Sequence, residues 1–214
     1  MTLPILRARL RRELHDEDAA AYRWTDAELD GHLEHAVREL SVAAPLEAKA
    51  DLTASGTSRT LSLASLGGLV AVEAVEYPTG QYPPVYTPFS RWASDLALLV
   101  DAVPASGATV AVYYGKMHTV DATSSTLPSA LEEAAVTGAA AYAALAWASF
   151  AVNRVNVGGA DTWRSLYTWG QERLAQFGRA LARHSRRNAV RVRRLYVPAY
   201  EPTDSTVVGA PGGG

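Results

Sequence analysis

Four residues in one short segment carry side chains that could bind a divalent metal. Glu28, His32, His35 and Glu39 follow one another at spacings of four, three and four residues, which places them along one side of a helix. Imidazole and carboxylate groups are ordinary zinc ligands. The same pattern also describes a solvated helix face, because the apolar residues of this segment fall on a different stripe. We favour the solvated face, and the sequence therefore predicts no metal site and no cofactor.

Signatures of catalysis are missing from the sequence. The chain has 214 residues and no cysteine, which excludes cysteine nucleophiles, Cys-zinc sites and disulfide scaffolds. It contains neither G-x-S-x-G nor the glycine patterns of a P-loop or a dinucleotide-binding loop. His118 and His184 are isolated, so no Ser-His-Asp set can be assembled from local signatures. We predict that the protein is not an enzyme.

Charge is distributed unevenly along the chain, although the net charge is only −2. Ten acidic residues and two arginines lie from Glu13 to Glu47, whereas eight arginines and no acidic residue lie from Arg173 to Tyr200. The basic segment could bind nucleic acid phosphates, dock on an acidic helix of a neighbouring subunit or on another protein, or form a solvated helix end. Alternation of valine and arginine over residues 190–193 favours protein docking, because an extended segment can add to a sheet edge.

Apolar periodicity predicts two helices near the N-terminus. Thr25 and Glu28 form a capping-box signature that opens the second helix, which ends before Pro45. The first helix carries Leu3, Leu6, Leu10 and Leu14 on one face and Arg7, Arg9, Arg11 and Arg12 on the other. The stripe of the second helix comprises Leu29, Leu33, Val37 and Leu40.

The third predicted helix begins at Pro128 and is unusual in composition. Residues 134–152 carry no charge, which is long enough to span a membrane. Eleven of the twenty-two residues from 130 to 151 are alanine, however, and alanine gains little on transfer into lipid. We therefore predict a helix buried on most faces, either within one chain or between subunits, and no membrane. A fourth helix begins near Asp161, with a packing stripe of Trp163, Leu166, Gly170, Leu174, Phe177 and Leu181. The five tryptophans are expected to be structural.

Residues 49–124 are rich in threonine, valine, serine, tyrosine, glycine and proline. Alternation predicts strands at 60–63, 70–77, 96–100 and 109–114, with turn signals between them. Short strands with frequent turns indicate a small antiparallel sheet or sandwich. The predicted fold class is therefore α+β. A helical bundle (1–45 and 125–188) carries an inserted antiparallel β domain (46–124) and an extended C-terminal tail (189–214).

The tail is the predicted partner-binding segment. Prolines at 198, 202 and 211 and three terminal glycines disfavour a compact ending, so the tail is expected to become ordered only against a partner. The residues expected to make this contact are Arg187, Val190, Arg191, Val192, Arg193, Arg194, Leu195, Tyr196 and Tyr200.

Two helical motifs resemble a known family. Trp24-Thr25-Asp26-Ala27-Glu28-Leu29, continuing to Ala36-Val37-Arg38-Glu39-Leu40, resembles the opening helix of the head–tail adaptor (connector, or neck) proteins of tailed bacteriophages. The segment Leu127-Pro128-Ser129-Ala130-Leu131-Glu132, which leads into a helix of small residues, is similar to a second helix of that family. The resemblance covers residues 1–45 and 125–188, and the β region is larger than a minimal adaptor requires.

The resemblance implies a structural role in a virion. Proteins of this family form a homo-oligomeric ring, a dodecamer, below the portal, and contact the portal through a C-terminal extension. The implied partners are further copies of the chain, the portal protein and a downstream neck or tail protein. DNA would pass through the channel without sequence recognition, and assembly would take place in the host cytoplasm. The nine tail residues would then bind the portal or a neighbouring subunit, and the β domain would face outward or toward the capsid. The alternative function is a nucleic-acid-binding module that uses the C-terminal arginine cluster.

Overall fold

The computed structural model describes residues 1–152 and 162–185 of the chain. This part of the chain is α+β, as predicted, with six strands placed between the second and third helices. The helices are α1 (Leu3–Glu13), α2 (Asp26–Ala43), α3 (Ser129–Ala151) and α4 (Thr162–His184). The strands are β1 (Leu46–Thr53), β2 (Thr60–Ser62), β3 (Leu69–Glu76), β4 (Phe89–Trp92), β5 (Asp95–Leu98) and β6 (Thr109–Lys116).

The four helices pack around one apolar cluster, the helical core, which confirms the predicted bundle. The N-terminus of α2 is the predicted capping box: Thr25 Oγ1 accepts the Glu28 N–H at 3.3 Å, and Glu28 Oε2 accepts the Thr25 N–H at 2.8 Å. The predicted leucine stripes of α1 and α2 are buried in the helical core, and the stripe of α4 adds Phe177. The principal buried side chains are Leu6, Leu10, Leu29, Leu33, Leu40, Leu131 and Phe177.

Alanine and glycine let α3 approach its neighbours closely. Most alanines between Ala134 and Ala151 are buried, including Ala143 at 0% exposure. By length and hydropathy α3 passes the criterion for a membrane span, but 61% of its apolar window is buried inside the protein itself. Small side chains are therefore used here for helix–helix contact within one chain.

The six strands form two antiparallel sheets, in the orders β1-β6-β3 and β2-β5-β4. Leu61 and Leu96 of the second sheet share an apolar cluster, the β core, with Val75, Val110 and Val112 of the first. The predicted antiparallel β region is confirmed, and it contains two sheets that share a core.

Two of the observed strands are missing from the prediction. β1 reads Leu-Glu-Ala-Lys-Ala-Asp-Leu-Thr, and its alanine, lysine and aspartate residues have low strand propensity. Its partner supplies the stability, since β1 pairs with β6 over the full length from Leu46↔Lys116 to Thr53↔Thr109. β4 is only four residues long, and it is held by pairing with β5.

His118 joins the strands to the helices. Its backbone N–H donates to Ser41 Oγ at 3.0 Å, and its ring nitrogens lie 2.9 Å from the Thr126 carbonyl oxygen and 3.0 Å from that of Ala44. The side chain is buried. One histidine therefore ties together the end of α2 and both ends of the segment that leads from β6 into α3.

Candidate partner-binding surface

The nine predicted partner-binding residues, from Arg187 to Tyr200, all lie outside the described part of the chain. Their role therefore stays a prediction. The structure does describe the helix that precedes them. Arg179 and Arg183 are exposed in the last two turns of α4, so the basic segment begins on an exposed helix end. Positive charge at this end is favoured by the helix dipole.

The end of α4 lies beside the start of α3. Gly138 of α3 faces Phe177, and Gly170 of α4 faces Leu145, so the two helices run antiparallel. Continuing the same pairing brings His184 to the level of the first turn of α3. This is also where the segment from β6 enters α3. The described part of the chain therefore ends close to the attachment of the β strands.

The acidic N-terminal segment is largely neutralised within the chain. Arg7 donates from Nε and Nη2 to both carboxylate oxygens of Asp30 at 2.7 Å, and from Nη1 to Asp26 at 2.6 Å. These interactions raise the pKa of the Arg7 guanidinium, and the hydrogen bond to Asp30 makes the largest contribution. Elsewhere in the segment, Glu34 pairs with Arg38 at 2.8 Å.

Arg11 corrects the prediction that the α1 arginines occupy an outer face. It is 7% exposed and donates to Asp16 Oδ2 at 2.7 Å, to Asp26 Oδ1 at 2.7 Å and to the Trp24 carbonyl at 3.1 Å. Asp16, itself 6% exposed, also accepts the Arg23 N–H at 2.7 Å. The pair fixes the loop between α1 and α2, because a buried charge is tolerated only with complete hydrogen bonding.

These pairs reduce the case for an acidic docking helix. In the sequence, Arg7 and Arg11 lie before the acidic segment. In the fold, they pair with the carboxylates of that segment and neutralise them. Glu13, which opens that segment, also pairs with Arg173 of α4 at 2.7 Å. The acidic side chains at these positions stabilise the fold of the chain itself.

Three of the four residues with metal-binding side chains, Glu28, His35 and Glu39, make structural contacts. Glu28 belongs to the capping box, whose hydrogen bonds from Thr25 lower the Glu28 pKa. His35 stacks on Tyr142 with the ring centroids 4.2 Å apart, and its Nε2 lies 3.4 Å from Glu39 Oε1. Burial lowers the pKa of His32. Within residues 1–152 and 162–185, no group of three or more histidine or acidic side chains is arranged to hold a metal.

The expectation that every tryptophan is structural is wrong for Trp92. Trp24 is buried and packs edge-on against Trp147, with centroids 5.6 Å apart. Trp92 is 86% exposed at the end of β4, where the next residue, Ala93, turns the chain with φ of 50°. The sequence alone could not distinguish the buried tryptophan from the exposed one, because the burial of the side chain depends on where its helix, strand or loop lies in the fold.

The described residues thus define an α+β protein whose charged clusters serve its own fold and whose basic C-terminal segment follows an exposed helix end. The sequence model of the SU10 adaptor protein family matches residues 1–194, and the chain belongs to that family. The match includes the β region and most of the nine predicted tail residues. It confirms the resemblance to head–tail adaptors.

Solved structures of gene transfer agent (GTA) particles give weaker likenesses. The neck of an empty GTA particle, computed with C6 symmetry, is 16% identical over 76% of this chain and 87% of that chain, with a TM-score of 0.29. The neck of the native GTA particle, computed with C12 symmetry, is 18% identical over 78% and 88%, also at 0.29. The virion of the native gene transfer agent particle gives 18% over 78% and 87%, at 0.30. No curated protein matches the chain. Because these TM-scores are low, the family match alone carries the assignment.

Proposed function

We propose that this chain is the structural adaptor of a tailed phage or phage-like particle, located in the neck of the virion. It forms a homo-oligomeric ring, a dodecamer, between the portal and the tail, and DNA passes through the ring without sequence recognition. The single observation that carries this proposal is the SU10 adaptor match over residues 1–194. The role is structural, and assembly takes place in the host cytoplasm before the ring enters the virion.

The described geometry supports an assembly role. Charged side chains that could have formed a reactive site are instead engaged in helix capping, in the Arg11–Asp16 pair and in the bonds of Arg7. The described part of the chain ends in an exposed basic helix end, which supports a role for the segment that follows it in binding a partner. Extended segments bind partner proteins through backbone pairing and alternate side chains, and arginines accelerate encounter with acidic surfaces.

Oligomeric state tests the ring. Native mass spectrometry of the full-length protein, alone and with purified portal, should give an assembly of many copies. A strictly monomeric chain under both conditions contradicts the proposal.

Portal attachment tests the tail. Deleting residues 189–214 should leave helical circular dichroism and thermal unfolding unchanged, since the helices are complete at His184, and should abolish co-sedimentation with portal. Deleting residues 203–214 is the matched control, because it keeps all nine predicted contact residues. Equal attachment of both truncated proteins would contradict the tail assignment.

The arginine content from Arg173 to Tyr200 specifically favours one other function, nucleic acid binding. In that case the full-length protein should shift DNA in a gel with a steep salt dependence, and the 189–214 deletion should remove the shift. If the protein is monomeric and behaves in this way, nucleic acid binding is a better description of its function than the adaptor role.

A further inference from the structure

A groove of about 700 Å³ opens between α1, α2 and the segment that joins β6 to α3. We call it the α1–α2 groove. Its volume lies within the range of about 300–1,000 Å³ that is usual for ligand clefts. The apolar side chains that line it come from all three segments: Leu3, Leu6, Leu33, Val37 and Val120. The groove therefore offers an apolar floor to a side chain from outside the described part of the chain.

One wall of the α1–α2 groove is made of small residues. Ala27 and Gly31 line the groove, are exposed, and lie one helical turn apart on α2. A β-carbon added at Gly31 would meet nothing within 4 Å, whereas one added at Gly138 would crowd the ring of Phe177. Glycine inside a helix is less stable than alanine, and no contact among the described residues requires the glycine at position 31. A glycine here lets a bound chain approach the backbone of α2 closely.

The surroundings of the groove favour a positively charged partner. Asp121 follows the lining residue Val120, and its carbonyl oxygen accepts the Leu3 N–H at 2.9 Å. The Asp121 carboxylate is exposed and accepts hydrogen bonds from neighbouring hydroxyl and amide groups, but no basic side chain of the described residues pairs with it. On the rim, Glu34 pairs with Arg38 at the surface, where such a pair contributes little. Both carboxylates are therefore accessible to an added arginine.

The C-terminal segment of this chain has apolar and basic residues side by side. Twenty-nine residues follow Ser185, and among them residues 191–194 read Arg-Val-Arg-Arg and residues 195–197 read Leu-Tyr-Val. We propose that residues 195–197 of a neighbouring copy bind in the α1–α2 groove, with the arginines that precede them beside Asp121 and Glu34. The inference rests on the proposed function, because only an assembly of copies brings a neighbour's segment to this groove.

The α1–α2 groove and the last described residue lie at the same end of the helical bundle. The pairing of α3 with α4 places His184 at the level of the first turn of α3. The start of α1, which lines the groove, is at that level too, since the Met1 ammonium pairs with Glu132. Ten peptide steps from Ser185 to Leu195 span at most about 35 Å, about three times the diameter of a helix, which is sufficient to reach an adjacent copy. Such a contact joins two different surfaces of identical subunits, and contacts of this kind close into rings.

Gly31→Leu in the full-length protein tests the groove. Because position 31 is exposed and open within the chain, the melting temperature should be equal to or above that of the wild type. The leucine would occupy the space of the bound segment, so the protein concentration needed for assembly in native mass spectrometry should rise at least about tenfold. Gly178→Leu is the matched control, because Gly178 is also an exposed helical glycine with open surroundings. It should assemble as the wild type does.

Introduced cysteines identify the segment that binds, because the chain has none of its own. Ala27→Cys is combined, in three full-length double variants, with Leu195→Cys, Tyr196→Cys or Val197→Cys. The matched controls combine the same three substitutions with Tyr82→Cys, a 98% exposed position in the loop after β3. Oxidation followed by non-reducing electrophoresis should give disulfide-linked dimers and longer ladders in at least one Ala27 variant. Their yield should be about tenfold above that of the control, since binding in the groove raises the effective thiol concentration.

The outcomes separate this inference from the proposed function. An oligomer without a cross-link at Ala27, or with equal cross-linking in the Tyr82 control, overturns the groove contact and leaves the ring intact. Assembly of Gly31→Leu at the wild-type concentration does the same. A cross-link confined to single chains also overturns the groove contact between copies, because the segment then binds its own groove. A wild-type protein that is monomeric and forms no cross-links overturns both the inference and the proposed function.

Discussion

Gly138 of α3 faces the ring of Phe177 in α4 so closely that a β-carbon added at Gly138 would lie 2.9 Å from three ring carbons. Phe177 is 1% exposed, so its ring has no space into which it could move. Gly138→Ala should therefore destabilise the protein by about 1–3 kcal/mol from overpacking, which outweighs the gain of about 1 kcal/mol in helix propensity. Chemical denaturation of the full-length variant measures the difference.

Gly178→Ala is the control for this prediction. Gly178 follows Phe177 on the same helix, and an added β-carbon there meets nothing within 4 Å. This variant should be unchanged or up to about 1 kcal/mol more stable. Equal stability of the two alanine variants would mean that α3 and α4 are not in contact at this point.

The small residues of α3 give a second test of the bundle. Ala143 is fully buried, and Ala146, one turn along, is exposed. Ala143→Arg should lower the free energy of unfolding by several kcal/mol, about 3 or more, because it places a charge where only methyl groups fit. Ala146→Arg should change it by less than about 0.5 kcal/mol. Thermal unfolding measures both, and similar melting temperatures would show that the buried face of α3 is assigned incorrectly.

The helices were predictable because their signals are local. The capping box at Thr25 and the stripe from Leu29 to Leu40 each lie within a few turns of one helix, and tertiary packing agrees with them. β1 was not predictable, since its residues favour no strand by themselves and depend on β6, more than fifty residues away in the sequence.

The ion pairs of α1 were not predictable for a similar reason. The sequence has Arg7 and Arg11 in one helix and the aspartates in another segment, which suggests two separate charged surfaces. In the fold, Arg11 is inserted between Asp16 and Asp26. Long-range pairing of this kind depends on the angle between α1 and α2, which periodicity does not give.

We therefore predict that substitution of Arg11 strongly lowers the free energy of unfolding. Arg11→Ala would leave the buried Asp16 carboxylate without its cation and should cost about 3–5 kcal/mol of unfolding free energy. Arg12→Ala is the matched control, because Arg12 is exposed and its nearest partner, Glu17, is 3.6 Å away. That variant should change stability by less than about 1 kcal/mol. Comparable losses at both positions in urea denaturation would show that the Arg11–Asp16 pair contributes no more than a surface pair.

We predict that the hydrogen bonds of His118 hold the β strands against the helices. His118→Leu would leave the Ala44 and Thr126 carbonyl oxygens without the imidazole in a buried site, at a cost of about 1–3 kcal/mol for each unsatisfied group. His118→Gln keeps an N–H donor and should recover part of this loss. Hydrogen exchange should show faster exchange at the end of α2 in the leucine variant. No difference between the leucine and glutamine variants would mean that these hydrogen bonds do not hold the attachment.

Excision of the β strands tests whether they fold separately from the helices. Leu46 and Lys116, the first residue of β1 and the last of β6, are directly paired, and such pairs lie about 5 Å apart. A short flexible linker can therefore join Pro45 to Met117. The helical core and the β core draw on different buried residues, so the shortened protein should keep its helical circular dichroism and a cooperative thermal transition.

A longer deletion, from Glu47 directly to Ser125, is the comparison that locates the boundary. It also removes His118, Val120, which packs against the helical core, and Asp121, whose carbonyl accepts the Leu3 N–H at 2.9 Å. We expect this variant to be less stable than the shorter deletion by several kcal/mol, about 3 or more, because buried contacts of α1 and α2 are lost with the segment. Loss of helical signal in the shorter deletion would show that the helices need the strands in order to fold. Equal stability of the two deletions would instead place residues 117–124 with the β strands, as the sequence predicts.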